Sequence, residues 1–461
     1  MNTLGPSRRQ LLQRAGAGFG SLALSALLAD ETRAVPAIGP LAPKKPHFKA
    51  RAKRVIFLFM PGGPSQVDTF DPKPELAKRN GKPSPKLYLG KQRPLLASPW
   101  KFKKYGQSGL EVSDLFPQVA SCIDDICVLR GMVADDVNHP GGCLQMNTGE
   151  RVATRPSLGS WVTYGLGTEN QNLPGFIAIG PGPLIEGARQ YGAAFLPAAH
   201  QGTFVSDLKD PIKNLKNSTV TPERQRLELD ALRKLNELHG AERADDSRLS
   251  ARIDSFELAY RMQVQAPDAF DLTRETDKTQ KLYGLDRKET ETFGRQCLLA
   301  RRLVERGVRF VQLYHTTGGF QPWDQHGDLK GGHSKNALAT DFPIAGLLKD
   351  LKARDLLKDT LVIWGGEFGR TPAAEGTDGR DHHPFGFTMW LAGGGVKGGM
   401  AYGETDEFGW DAVQGRVHVH DLHATILHLL GLDHEKLTYR HTGRDFRLTD
   451  VSGTPVKAIL S

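Results

Sequence analysis

Apolar positions along the chain alternate between two periods. Arg54 to Met60 (RVIFLFM) is unbroken apolar after its first residue, which predicts a strand of a parallel sheet buried on both faces. It runs into Pro61-Gly62-Gly63-Pro64-Ser65, a tight loop at a strand's C-terminal end, where open α/β sheets bind ligands. Short apolar runs recur at Ile126 to Leu129, Val308 to Tyr314, Thr360 to Trp364 and Phe387 to Ala392, each read as a strand. Between them the period is helical. Thr221-Pro222-Glu223 opens a helix with Leu227, Ala231, Leu232, Leu235 and Leu238 on one face, ended by Gly240. A second helix holds Ile253, Phe256, Tyr260 and Val264. A third, from about Glu289 to Arg306, leads straight into the strand at Val308. Further helices are predicted over Asn336 to Arg354 and His420 to Leu430. Residues 72–110, rich in Lys and Pro, read as a surface excursion. The alternation predicts one large α/β domain with a helical insertion at about 221–306 and no internal repeat.

The N-terminus has a different character. Ser7-Arg8-Arg9-Gln10-Leu11-Leu12 precedes an apolar stretch, Ala15 to Ala29, that is too short and too rich in Gly and Ala for a stable span. Small residues follow, with Ala29 or Ala37 as cleavage points. The order predicts a twin-arginine signal over 1–37, a domain over 38–461, and a periplasmic or secreted product with no membrane span in its mature chain.

Composition narrows the class. With 24% charged and 39% hydrophobic residues, the 461-residue chain reads as folded and soluble. Its net charge of +8 drops to about +6 without the signal, and no nucleic-acid motif accompanies it, so a basic surface is expected rather than a nucleic-acid partner. Cys122 and Cys127 have the spacing of neither a zinc ribbon nor a redox pair, although export would permit a bridge between them. Cys297, on an apolar helical face, reads as core.

The chemistry is concentrated late in the chain: 11 of the 15 His lie between His315 and His441. Polar ligand types recur just after predicted strands: His315, then Asp324 and His326; Glu367 and Arg370; Asp381, His382 and His383. Imidazoles mixed with carboxylates suit zinc first, then manganese or iron; carboxylates alone would suit calcium or magnesium. Arg370 is expected to grip a sulfate or phosphate by paired hydrogen bonds, or else to pair with Glu367. His420 and His423 share a helical face, which suits either a ligand pair or, the preferred reading, a packed helix. Gly393 to Gly399 lacks the order of a nucleotide fingerprint and reads as a turn.

Taken together, Phe293-Gly294-Arg295-Gln296-Cys297, Trp323-Asp324-Gln325-His326, Gly365-Gly366-Glu367-Phe368-Gly369-Arg370-Thr371-Pro372 and Gly379-Arg380-Asp381-His382-His383-Pro384 resemble an uncharacterised family of exported bacterial proteins often described as sulfatase-like. The resemblance implies the alkaline phosphatase and sulfatase superfamily: an α/β three-layer sandwich with a mainly parallel central sheet. It also implies Asp324, His326, Glu367 and His382 or His383 as metal ligands. The chain departs from that superfamily in two places. The first strand ends in Met60-Pro61-Gly62 where an Asp ligand is usual, leaving Asp68 and Asp71 as the nearest acids. Counting back from Thr148-Gly149, the nucleophile's place holds His139, and Cys143 stands where sulfatases carry an Arg. His139 is therefore expected in the catalytic site, first as a metal ligand and second as a nucleophile; Ser65 and a metal-activated water are the other routes. Two functions follow: a metal-dependent hydrolase of sulfate or phosphate esters acting on a small anionic ester or sulfated polysaccharide, or an inactive member of the fold that binds an anionic polysaccharide or cell-envelope component.

Overall fold

The structure is a computed structural model that describes residues 41–208, 220–241 and 257–461, except positions 259, 264, 265 and 318. The twin-arginine segment lies outside the described residues, as do Ile253, Phe256 and Val264 of the second predicted helix.

The sheet strands and their flanking helices follow in chain order. They are β1 (Arg54–Phe59), β2 (Ile126–Val133), α1 (His139–Thr148), α2 (Leu158–Leu166), β3 (Phe176–Ile179), β4 (Thr203–Val205), α3 (Pro222–Ala241), α4 (Glu291–Glu305), β5 (Phe310–Tyr314) and α5 (Leu329–Ala353). Then come β6 (Thr360–Gly365), β7 (Gly369–Glu375), β8 (Gly379–His383), β9 (Phe387–Ala392), β10 (Met400–Tyr402), β11 (Val417–His418) and α6 (Val419–Leu429). Among the described residues, nine strands form the central sheet in the order β10-β2-β9-β6-β1-β5-β3-β4, with β11 also pairing β2. Only β9 runs against its neighbours β2 and β6; every other pairing is parallel.

β1 shows why its sequence is apolar throughout. Ile56, Leu58 and Met60 enter one core with Cys297, Leu298, Ile344 and Leu347 of α4 and α5. Val55, Phe57 and Phe59 enter the other with Cys143, Trp161, Leu422 and Ile426 of α1, α2 and α6. Successive side chains leave opposite faces of a strand, so a central strand between two helical layers needs apolar residues at every position. The result is the expected three-layer α/β sandwich with a mixed, mostly parallel sheet.

Several boundaries differ from expectation. α5 begins seven residues before Asn336, because Asp328 caps it, its carboxylate accepting from Gly331 N, and because Gly331 and Gly332 dilute the apolar pattern there. Residues 369–383, read only as motif loops, form the antiparallel hairpin β7–β8. The 72–110 excursion is partly a core element: Leu76, Tyr88 and Leu95 pack with Ala373, Phe408 and Trp410. All four cysteines are buried free thiols, so Cys122 and Cys127 are not bridged.

Candidate metal centre

The ends of the parallel strands bring distant residues to one edge. β1 delivers Gly62, β2 the turn to His139, β5 the loop to Asp324, and β6 the turn to Glu367. The β7–β8 hairpin lies alongside and carries Arg370 opposite His382. Gly62 is required here: its φ is 108°, and an added Cβ would stand 2.6 Å from Asp324 N. Its own N–H donates to Glu367 Oε1 at 2.9 Å. Gly142 lets α1 approach closely, since a Cβ there would press on the Phe368 ring at 3.1 Å and on Glu367 Cβ at 3.3 Å.

At the centre is one carboxylate oxygen. Asp324 Oδ1 lies 3.2 Å from His139 Nε2, 3.0 Å from His326 Nε2 and 3.2 Å from His382 Nε2. The His326 and His382 Nε2 atoms are 2.9 Å apart. Each ring is held by its other nitrogen. His139 Nδ1 meets Glu367 Oε1 at 2.5 Å, His382 Nδ1 meets the Val137 carbonyl at 2.7 Å, and His326 Nδ1 meets Glu375 Oε2. A carbonyl and two carboxylates can only accept, so in the neutral rings each Nδ1 carries the proton and each Nε2 a lone pair. With the Nδ1 protons turned outward, three Nε2 atoms face one carboxylate oxygen, a cluster that either Nε2 protons or a cation bridges. His139 Nε2 and Glu367 Oε2 are buried without a hydrogen-bond partner.

That donor set fits a divalent cation. Ligand atoms about 2.0–2.1 Å from a tetrahedral zinc are about 3.3 Å from one another, close to the three separations from Asp324 Oδ1 and the one between His326 and His382. Outward Nδ1–H bonds to carboxylate or carbonyl are the usual support of metal-bound imidazoles. His139, Asp324 and His382 form one candidate metal group; His326, Glu375 and Asp381 form an adjacent one. A guanidinium meets the carboxylate of each group: Arg93 Nη2 lies 2.9 Å from Asp381 Oδ2, and Arg370 Nη2 2.5 Å from Asp324 Oδ1.

Charge follows the same geometry. Burial pushes the Asp324 carboxyl up, but hydrogen bonds with His139, His326 and His382 and the Arg370 charge outweigh it and hold the group well below the usual carboxylate range. His326 is raised to about 9, chiefly by its bond to Asp324. Burial lowers His139, but the carboxylates of Asp324 and Glu367 more than reverse it. The cluster opens to solvent on one side, where the His326 side chain is 42% exposed against 6% for His139.

Two expected roles are corrected. Arg370 does not grip an outside anion: it is fully buried, and it donates to the carbonyls of Gly62, Gly63 and Arg380 and, at 2.5 Å, to Asp324 Oδ1. Nor does it pair with Glu367. His383 is not at the centre. It neighbours His382 in a strand and so leaves the opposite face, where its Nε2 meets the Trp410 carbonyl and burial lowers it to about 4.

The remaining candidates are structural. His315 is buried, its Nδ1 accepting from Trp323 Nε1 at 3.1 Å. His420 and His423 tie α6 to the Gly149 and Met146 carbonyls, each at 2.8 Å. Ser65 Oγ donates to Asp68 Oδ2 at 2.5 Å, and Asp68 pairs with Arg380. Cys143 is buried behind Glu367, its thiol pushed well up by burial and then by that carboxylate. Glu375, Val137 and Phe368 escaped the sequence reading. Recognising the hairpin around Gly376 would have found Glu375, since its register sets Glu375 against Gly379 close to His326.

Fold and site together define an α/β protein with a candidate metal centre at the carboxyl ends of its parallel strands. A family model described as "Protein of unknown function (DUF1501)" matches residues 52–460, and the chain belongs to that family. No curated protein matches it. Similar solved structures include the lipoteichoic acid synthase LtaP from Listeria monocytogenes, at 10% identity over 88% of this chain and 78% of that one, with a TM-score of 0.38. They also include the PsFucS1 sulfatase from Pseudoalteromonas sp. (12%, 84% and 69%, TM-score 0.36). A third is the alkaline phosphatase from the Antarctic bacterium TAB5 (11%, 84% and 99%, TM-score 0.34).

Proposed function

We propose that the chain is a metal-dependent hydrolase of sulfate or phosphate esters, exported through the twin-arginine pathway to the periplasm or beyond. The observation that carries the reading is the convergence of three outward-anchored imidazoles on Asp324 Oδ1. His139, Asp324, His326 and His382 would hold the ion, with Glu367 close behind His139. Zinc suits this nitrogen-rich set best, ahead of manganese, iron, calcium or magnesium. A divalent ion there would supply Lewis acidity toward an ester oxygen and acidify water.

The chain's own residues do the positioning. Glu367, Glu375 and the Val137 carbonyl hold the three rings by their Nδ1 protons. Arg370 fixes Asp324 and offsets its charge. With one carboxylate among the direct ligands of a dication, the site keeps a net positive charge, which favours an anionic ester over a neutral one. Among the described residues, Ser65 is buried and bonded to Asp68, and the Cys143 thiol is buried and pushed well up by burial and by Glu367, so water is the nucleophile of this reading.

The sealed Arg370 also favours a second reading, an inactive member that binds an anionic polysaccharide, since the expected anion clamp is spent. A panel of phosphate and sulfate esters, assayed with metal-stripped and zinc-reloaded protein, separates the two. Zinc-dependent turnover lost in His382→Ala supports the hydrolase; zinc binding with no turnover on any ester overturns it in favour of the binding role.

A further inference from the structure

The 72–110 excursion lays its residues 83–96 along the hairpin that carries Arg370, Glu375 and His382. Leu95 bridges Ala373 of β7, Leu96 N donates to the Pro372 carbonyl at 3.0 Å, and Ala374 N donates to the Pro94 carbonyl at 2.8 Å. Two side chains of this segment reach further. Arg93 Nη2 lies 2.9 Å from Asp381 Oδ2 and 3.6 Å from Glu375 Oε1. The Tyr88 hydroxyl donates to the His382 carbonyl, and its ring packs on His383 and Trp410. Both carboxylates use their second oxygen on a candidate ligand. Glu375 Oε2 meets His326 Nδ1, and Asp381 Oδ1 accepts from His382 N at 2.8 Å.

We infer that, on the metal-dependent reading proposed above, Arg93 is a positioning residue of the centre. It acts through Glu375 on His326 and through Asp381 on His382, while Tyr88 holds the His382 carbonyl. The reason is electrostatic. A Glu375 oxygen and an Asp381 oxygen lie within 4.8 Å of each other. Two carboxylates that close repel, the more so where water is partly excluded. Their side chains are 30% and 12% exposed, and that of Arg93 is 13% exposed. The guanidinium between them offsets the repulsion, so Glu375 can stay on His326 and Asp381 on the backbone of His382. A purely structural brace would set how much protein is folded. A positioning residue sets how the bound ion is coordinated.

Titration of cobalt(II) into the metal-stripped full chain, kept below one equivalent, tests this, because the visible bands of cobalt report the ligand geometry of the ion that is bound. Arg93→Met keeps the stem and drops the charge. It should weaken cobalt binding about tenfold, as loss of an outer partner of a metal-bound histidine does, and shift the bands. If Arg93→Met does not fold, Arg93→Gln carries the same test. Arg93→Lys should restore both affinity and bands, since a single nitrogen makes both contacts and an ammonium can take its place. Tyr88→Phe, which keeps the ring packing, should shift the bands with a smaller loss of affinity. Wild-type bands and affinity in the Arg93 variants would overturn the inference and leave the metal centre standing. So would a loss of folded protein with unchanged bands and no rescue by lysine. A wild-type chain that takes up no cobalt would overturn the metal centre itself, and this role of Arg93 with it.

Discussion

Arg370 Nη2 donates to Asp324 Oδ1 at 2.5 Å from a position with no solvent exposure, and the same guanidinium binds the carbonyls of Gly62, Gly63 and Arg380. One side chain thus ties the loop after β1 to the hairpin and to the central carboxylate. Arg370→Lys cannot reproduce those bonds and should destabilise the fold by about 3 kcal/mol, as breaking a buried ion pair does. Urea unfolding measures this. A variant of unchanged stability that binds an ester more weakly would show instead that Arg370 serves the substrate.

His382 and His383 are adjacent in sequence and opposite in role. His382→Ala should abolish tight metal binding while costing little stability. His383→Ala should keep the metal, yet destabilise the protein by about 1–3 kcal/mol through the carbonyl it leaves unpartnered. Elemental analysis beside thermal unfolding distinguishes them.

On the proposed centre, Glu375 acts through His326, whose Nδ1 it meets. Glu375→Gln should keep the ring in place but reduce its basicity, lowering zinc affinity about 10–100-fold. Competition with a chelating dye reads this directly, and an unchanged affinity would remove Glu375 from the site.

These roles were unevenly legible in the sequence. β1, β6 and β9 stood out because strands covered on both faces must be apolar throughout. The ligand types stood out because they cluster just beyond those strands. Arg370 could not be placed, because its partners Gly62 and Gly63 lie about three hundred residues upstream and meet it through backbone carbonyls, which carry no side-chain signal. The His382–His383 doublet could not be resolved, because one residue of register in β8 exchanges their faces. The apolar face read on α3 had the pattern of a buried one, yet Leu227, Leu232 and Leu235 are exposed.

Buried histidines make stability depend on pH. Burial lowers His423 and His315 each to about 3, and His200 to about 4, all below the ordinary value of 6.5. The unfolded chain therefore binds more protons than the folded one between those limits. The share of stability that depends on these three histidines is full above about pH 6.5 and falls as pH drops toward 4. Urea midpoints from pH 7 to pH 4 should decline, and His423→Gln, whose amide can still donate to the Met146 carbonyl, should flatten the decline. A steeper decline in the variant would contradict this assignment.

The central claim is that His139, Asp324, His326 and His382 hold a divalent ion. Calorimetric titration of zinc into metal-stripped protein tests it, run in parallel on wild type and His382→Ala. The account predicts tight binding to the wild type, accompanied by proton release, and its loss in the variant. No binding to the wild type, or equal binding to both, would contradict it.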